Sequence, residues 1–151
     1  MEIRFKRMAA NAVPPFKAVD GAAGYDLTVS SMTRSTAHSG NIQIKYYSGI
    51  AVEIPLGYVG LVFPRSSVCR KDNRMANAVG VIDHGYTGEI SGVFDLPDSK
   101  GELSVDDERI YKIGERFAQL VIVPIPEVTF QEVAELEATT RGSGGYGSTG
   151  A

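Results

Sequence analysis

Cysteine occurs once in the 151 residues, at Cys69, tryptophan is absent, and histidine appears only at His38 and His84. A single cysteine permits no disulfide within the chain, so a reducing compartment is the default and the expected location is cytoplasmic. One cysteine and two histidines also argue against a zinc site of the Cys/His type. No run approaches the roughly 20 apolar residues that a membrane-spanning helix needs. The charged start, Met1-Glu2-Ile3-Arg4-Phe5-Lys6-Arg7, leads into no apolar stretch of signal-peptide length. Neither sign of charge dominates: 15 Lys and Arg stand against 18 Asp and Glu, a formal net charge of −3. Broad, sequence-blind binding of nucleic acid requires a strongly basic face and is not expected. A few well-placed arginines can still reverse the local potential around a small anion.

What is present is an ordinary globular composition, 43% hydrophobic and 22% charged, on a chain long enough for one domain with its own core. Ile42, Ile44 and Tyr46 alternate with polar residues, and Ile50, Val52 and Ile54 do so again before Pro55. Tyr58 to Phe63, Val79 to Ile82, Ile110 to Ile113, Leu120 to Ile125 and Val128 to Val133 follow. Such short period-two pieces between Gly, Pro and Asn turns predict an all-β sandwich, jelly roll or barrel. At most one or two short helices are expected, from Ser66 to Lys71 and from Pro15 to Val19. Met32 to Asn41 reads as a polar loop and Asp95 to Asp107 as a hydrophilic connection. The last ten residues before Ala151, Arg141 to Gly150, contain five glycines, too many for a packed element. The expected division is one β domain over 1–140 and a flexible tail over 141–151.

Five segments concentrate residues that a strand sandwich does not require. They are Ala23-Gly-Tyr-Asp-Leu27, Pro64-Arg-Ser-Ser67, Asn77 to Glu89, Gly114-Glu-Arg-Phe-Ala-Gln119, and the tail from Arg141. In Pro64–Ser67 a turn entering a short helix brings backbone N–H groups, a hydroxyl and a guanidinium together, as a phosphate needs; by itself it also reads as a helix cap with a solvated arginine. Across Asn77–Glu89, Gly80 and Gly85 among Val79, Val81 and Ile82 allow a hairpin whose backbone closely approaches a flat ligand. Asp83 there can act as a general base or simply stabilise its own turn. Tyr86 can equally pack as an ordinary strand tyrosine, and Gln119 can be a strand amide facing solvent.

In this order and spacing the five segments resemble the motifs of the trimeric all-β dUTPase family, and the resemblance spans residues 23–150. It implies a distorted jelly-roll (β-clip) barrel that hydrolyses dUTP to dUMP and pyrophosphate, limiting uracil in DNA and supplying dUMP for dTMP synthesis. It further implies that Arg65, Ser66 and Ser67 hold the phosphates, although the family more often has Gly where Ser67 stands. Asn77 and the backbone of Gly80 and Val81 would read uracil, and Tyr86 would pack under the deoxyribose and leave no room for a 2′-hydroxyl. Asp83 would activate the water that attacks the α-phosphorus, Gln119 would lie near that water, and Asp26 would support the site through a hydrogen-bond network. His84 is expected to face solvent without a catalytic role. The tail would close as a lid, with Arg141 on the γ-phosphate, Tyr146 stacked on uracil, and Gly147 and Ser148 at the phosphates. Mg²⁺ is expected on the triphosphate through phosphate oxygens and waters, with no metal site formed by protein ligands alone.

The resemblance also implies a homotrimer with active sites shared between subunits. A rival of the same fold, a dCTP deaminase, requires a glutamate ten residues after the Asp, where this chain has Val93. A rival of another class is a nucleotide-switched regulatory protein, for which residues 92–107 are the segment to offer a partner surface. Either reading is compatible with the host cytosol or nucleus should a virus encode the chain.

Overall fold

The computed structural model describes residues 1–99, 104 and 106–145. Ten strands are present among them: β1 (Phe5–Arg7), β2 (Tyr25–Thr28), β3 (Ser31–Thr36), β4 (Ile42–Tyr47), β5 (Ile50–Val52), β6 (Tyr58–Pro64), β7 (Arg74–Met75), β8 (Gly80–Ile82), β9 (Ser91–Leu96) and β10 (Arg116–Pro124). A single helical turn, α1 (Val68–Lys71), lies between β6 and β7. The strands form two four-stranded sheets, ordered β2-β10-β6-β8 and β3-β4-β9-β7, and a two-stranded ribbon, β1-β5. All pairings are antiparallel. This is the all-β architecture expected from the jelly-roll resemblance.

β4 shows how the pattern becomes structure. Its Ile42, Ile44 and Tyr46 are buried while Gln43, Lys45 and Tyr47 are half-buried, as the alternation of a strand between core and outer face requires. Tyr46 sits at the centre of an aromatic cluster, its ring 5.4 Å from Phe94, 5.5 Å from Tyr111 and 5.6 Å from Phe117. Burial pushes its hydroxyl up to about 12, against the opposing effect of the Tyr111 backbone N–H that it accepts. The hydroxyl is the buried partner of that N–H, at 3.1 Å.

Four expectations are corrected. β9 occupies the first part of the segment read as a connection and as extra surface; its Gly92, Phe94 and Leu96 are buried and pair with β4 along their full length. Gly92 is the reason the strand was hidden: a Cβ there would lie 3.1 Å from the Phe94 ring and 3.3 Å from Phe117, so close packing demands the residue that looks like a turn signal. β3 replaces the loop expected from Met32; it is an edge strand whose side chains are mostly exposed, so its polarity concealed its backbone pairing. Ile110–Ile113 is no strand, because Glu115 closes it as a turn: Oε2 accepts the Lys112 N–H at 2.8 Å, and the Glu115 N–H returns to Lys112 O at 2.9 Å. Val128–Val133 forms no ladder either, and its Phe130 is 98% exposed.

The second candidate helix, Pro15–Val19, is also absent. Phe16 instead makes a bridge to Asp26, whose N–H donates to Phe16 O at 2.7 Å. The helix expected over Ser66–Lys71 is present as α1 with a tight entry turn.

Candidate active site

The Pro64–Ser67 segment leaves β6 and turns directly into α1. Val68 N–H donates to Arg65 O at 2.9 Å, Cys69 N–H to Ser66 O at 3.3 Å and Arg70 N–H to Ser67 O at 3.0 Å. The amides of Ser66 and Ser67 precede the first of these donors, as the orphan donors of a helix entry do. Ser66 is exposed on this turn.

Asp26 organises the neighbouring charges. It is only 7% exposed, and each of its carboxylate oxygens takes one guanidinium: Arg65 Nε donates to Oδ1 at 2.8 Å and an Arg116 terminal nitrogen to Oδ2 at 2.8 Å. A buried carboxylate needs such partners. A β-bulge between Arg116 and Ala118, opposite Thr28 and Leu27, gives Arg116 its position. Gln119 pairs with Asp26 across one side of β10 and with Phe63 across the other, and its side-chain amide lies 3.4 Å from Pro64 O. Gly24 makes room for it, since a Cβ at that position would meet Gln119 Oε1 at 2.9 Å.

Two arginines thus converge on one carboxylate, with Gln119 beside them on the Pro64 carbonyl at the entry to the turn. An open cleft of about 420 Å³ adjoins them, lined by Arg65, Ser67, Arg70, Lys71 and Arg116 together with Glu108, Tyr111, Gly114 and Glu115. Cations outnumber acids there, so a small anion is attracted. Asp26 was expected to support the site through a hydrogen-bond network, and each of its two oxygens is engaged by one arginine.

The hairpin around β8 forms a second group of residues. β8 is the edge of its sheet, so on its outer side backbone N–H and C=O groups have no strand partner. Val81 is 60% exposed there, whereas Gly80 is buried against Val62, where a Cβ would come within 3.2 Å of the Val62 Cβ. Asn77 is exposed at the entrance, and its side-chain nitrogen lies 3.7 Å from that same Cβ position. Beyond β8 the chain reverses through Asp83-His84-Gly85-Tyr86, with Tyr86 N–H donating to Asp83 O at 3.2 Å and Gly85 at φ +85°. A positive φ at the third position is the mark of a type II turn. The Asp83 side chain is exposed. Tyr86 folds back over Gly88, and its hydroxyl donates to Glu89 O at 3.2 Å.

His84 differs from expectation. Though exposed overall, it is anchored, with Nδ1 2.7 Å from Ile54 O. Because a carbonyl only accepts, Nδ1 carries the proton.

Within one chain the Asp83 end of this hairpin stands away from Arg65. Ile82 pairs with Gly60, whereas Arg65 follows the far end of β6. Five residues of extended chain separate Gly60 from Arg65, about 16 Å, so Asp83 and Arg65 lie at opposite ends of β6. Arg141 joins neither cluster; its Nε donates to Gly144 O at 3.3 Å within the exposed tail. Tyr146, Gly147 and Ser148 lie outside the described residues. Arg116, Lys71 and Tyr111 are the site residues that sequence reasoning missed. For Arg116 a signal existed, since it lies in the Gly114–Gln119 segment; Lys71 and Tyr111 carry none without the fold.

Fold and site together define an all-β domain built to bind a phosphate-bearing ligand. The chain belongs to the dUTPase family, whose profile matches residues 10–150. A deoxyuridine 5'-triphosphate nucleotidohydrolase of Hydrogenobaculum sp. is 38% identical over 151 residues, covering 99% of each chain. Among solved structures, a mutant dUTPase of Staphylococcus bacteriophage 80alpha with dUpNHpp superposes with a TM-score of 0.81 at 28% identity, covering 99% of each chain. A mutant dUTPase from phage phi11 of S. aureus, described as coordinating a structural Mg(II) ion, gives 0.74 at 25% identity and covers 91% of this chain and 100% of its own.

Proposed function

We propose that this protein hydrolyses dUTP to dUMP and pyrophosphate, as a dUTP diphosphatase. The observation that carries the reading is the pair of guanidinia, Arg65 and Arg116, held on buried Asp26 beside Gln119 and the Pro64–Ser67 turn. Pre-aimed cations stabilise the negative charge of a transferring phosphoryl group without reorganising during reaction. Arg65, Arg116, Ser66 and Ser67 bind the triphosphate, and Gln119 lies near the attacking water. Asp83 takes a proton from that water as its oxygen bonds to the α-phosphorus. The bond from the α-phosphorus to the bridging oxygen breaks, and pyrophosphate leaves.

Uracil binds along the free edge of β8, where backbone donors and acceptors from Gly80 and Val81 match its edge and Asn77 adds its amide. Such a site rejects a base with the wrong hydrogen-bond pattern more strongly than an apolar pocket does. Tyr86 excludes a ribose 2′-hydroxyl. Residues 141–151, including Arg141, Tyr146, Gly147 and Ser148, form a unit distinct from the 1–140 domain and close over the phosphates.

Mg²⁺ rides on the triphosphate. Asp26 already accepts one guanidinium on each of its oxygens. Mg²⁺ keeps phosphate oxygens and waters as ligands readily, and when bound it neutralises charge on the phosphates.

The separation of Asp83 from Arg65 favours a shared site, in which one subunit supplies the arginines and another the hairpin. The homotrimer that the family resemblance implies provides such sharing, and the exposed Val128, Phe130 and Leu136 supply apolar surface for a neighbouring copy to cover. Cys69 is exposed and free, in keeping with reaction in the cytosol. The rivals gain nothing: Val93 lies on β9 and has no proton to transfer, and residues 92–96 of the proposed partner segment belong to a core strand.

The test is pyrophosphate release from dUTP, UTP, dCTP and dTTP, with and without Mg²⁺. Selective, Mg²⁺-dependent release from dUTP is expected. Ammonia from dCTP, or no release from any of the four, refutes the reading.

A further inference from the structure

The phosphate turn is held on one side by Asp26, through Arg65. Its other side carries Ser67, whose backbone is already helical at φ −61° and ψ −16° and whose side chain makes no capping bond to α1. A serine at a helix entry ordinarily turns its hydroxyl onto the helix's own amides. Here the Ser67 hydroxyl lies 3.2 Å from the hydroxyl of Tyr111.

Tyr111 is 2% exposed, and its ring belongs to the aromatic core. Packing alone would be served by phenylalanine, so the hydroxyl needs a polar partner, and Ser67 is that partner. Burial raises the Tyr111 hydroxyl above its ordinary value despite the Ser67 bond and nearby Arg65, which both lower it, so the proton stays available for the bond. The other end of α1 is tied to the same segment. Lys71 Nζ lies 5.0 Å above the Tyr111 ring and donates to Ile110 O and to Glu115 Oε2, each at 3.2 Å.

We infer that Tyr111 is a positioning residue for substrate binding, fastening the phosphate turn to the core through its hydroxyl on Ser67. The segment from Ile110 to Glu115 then grips α1 at both ends and continues directly into Arg116, so Arg65 and Arg116 are spaced by one rigid frame. A turn ordered before the ligand arrives loses less freedom on binding. The latch therefore acts on affinity for the phosphate chain and hardly on the chemical step. The inference rests on the reading of Pro64–Ser67 as the phosphate-binding turn.

The experiment compares wild type with Tyr111→Phe, Ser67→Ala and the double variant, measuring kcat and KM for dUTP, calorimetric affinity for inorganic tripolyphosphate with Mg²⁺, and the thermal midpoint. Each single variant is expected to raise KM and weaken tripolyphosphate binding about three- to tenfold, the worth of one neutral hydrogen bond. In Tyr111→Phe kcat should stay within about twofold, and the double variant should be no worse than the poorer single one, as for two groups acting through one interaction. Wild-type affinity in Tyr111→Phe overturns the inference, whether or not the thermal midpoint falls, and so do multiplicative effects in the double variant. A wild type that binds no tripolyphosphate overturns it too. A wild type that binds tripolyphosphate without cleaving dUTP, with weaker binding in the variants, would uphold the latch and sink only the proposed reaction.

Discussion

Asp26 and Asp83 are both carboxylates in the motif-bearing segments, and their surroundings give them opposite tasks. Asp26 is buried and each of its oxygens accepts from one guanidinium, so its charge serves to hold the two arginines. Asp83 is exposed at a turn and free to approach a water. Asp83→Asn should therefore keep nucleotide binding but lower kcat by about 10²–10⁴-fold, the usual worth of a positioned base; unchanged turnover in a pyrophosphate assay would remove it from the mechanism. Asp26→Asn should instead raise KM, since both arginines lose their anchor, and should destabilise the fold by roughly 3 kcal/mol, as breaking one partner of a buried pair does. Urea unfolding and the ratio of KM change to kcat change read the two effects. The identities of both residues were legible from the motifs. Their division of labour was implied by the family resemblance, but the arginine partners of Asp26 were not, because Arg116 reaches it only through pairing of β10 with β2 and the bulge beside it.

Strands and turns set where these residues stand. Gly85 holds the Asp83 turn at a φ that a side chain resists, although a Cβ there meets nothing within 4 Å. Gly85→Ala should thus cost only about 1 kcal/mol of backbone strain, yet lower kcat more than it changes KM by shifting Asp83; stopped-time assays beside a melting curve would show the contrast. The connection leaving β9 is held by Asp107 and Arg109, whose paired side-chain bonds are both 3.0 Å long. The Arg109 side chain, then its backbone N–H, keeps the Asp107 carboxyl below its ordinary value. The stability this adds is complete above the ordinary carboxylate value of about 4 and fades as pH falls through the lower folded value. In urea titrations the advantage of wild type over Asp107→Asn should hold from neutrality down to about pH 4 and shrink below it. At this scale the alternating pieces β4, β5, β6 and β10 were readable, since their apolar residues face one core. β9 and β3 were not, because Gly92 serves packing rather than a turn, and an edge strand pairs by backbone whatever its side chains.

Taken as a whole, the chain has more apolar surface and more site fragments than one copy can use. Period two in Val128–Val133 is real, but Phe130 finds no core in its own chain, and the same isolation applies to Asp83, distant along β6 from Arg65. Alternation in sequence reports that a face is fit for burial, not which molecule buries it, so the proposal that a neighbouring copy covers this face leans on the family resemblance. Sharing of sites makes a demand that no single-chain enzyme meets. Arg65→Ala and Asp83→Asn should each be nearly inactive alone, one lacking a phosphate clamp and the other a base. After partial denaturation and joint refolding in equal amounts, hybrid assemblies should regain about a quarter of wild-type turnover, because a site drawing its arginine and its acid from different chains finds both intact in one case of four. Recovery should grow as subunits exchange and be absent when the two variants are mixed without refolding, provided exchange is slow. No recovery, with hybrid assemblies demonstrated by native mass spectrometry, would mean that both residues serve a site within one chain, and β6 would have to be bridged by a movement that brings its two ends to the same nucleotide.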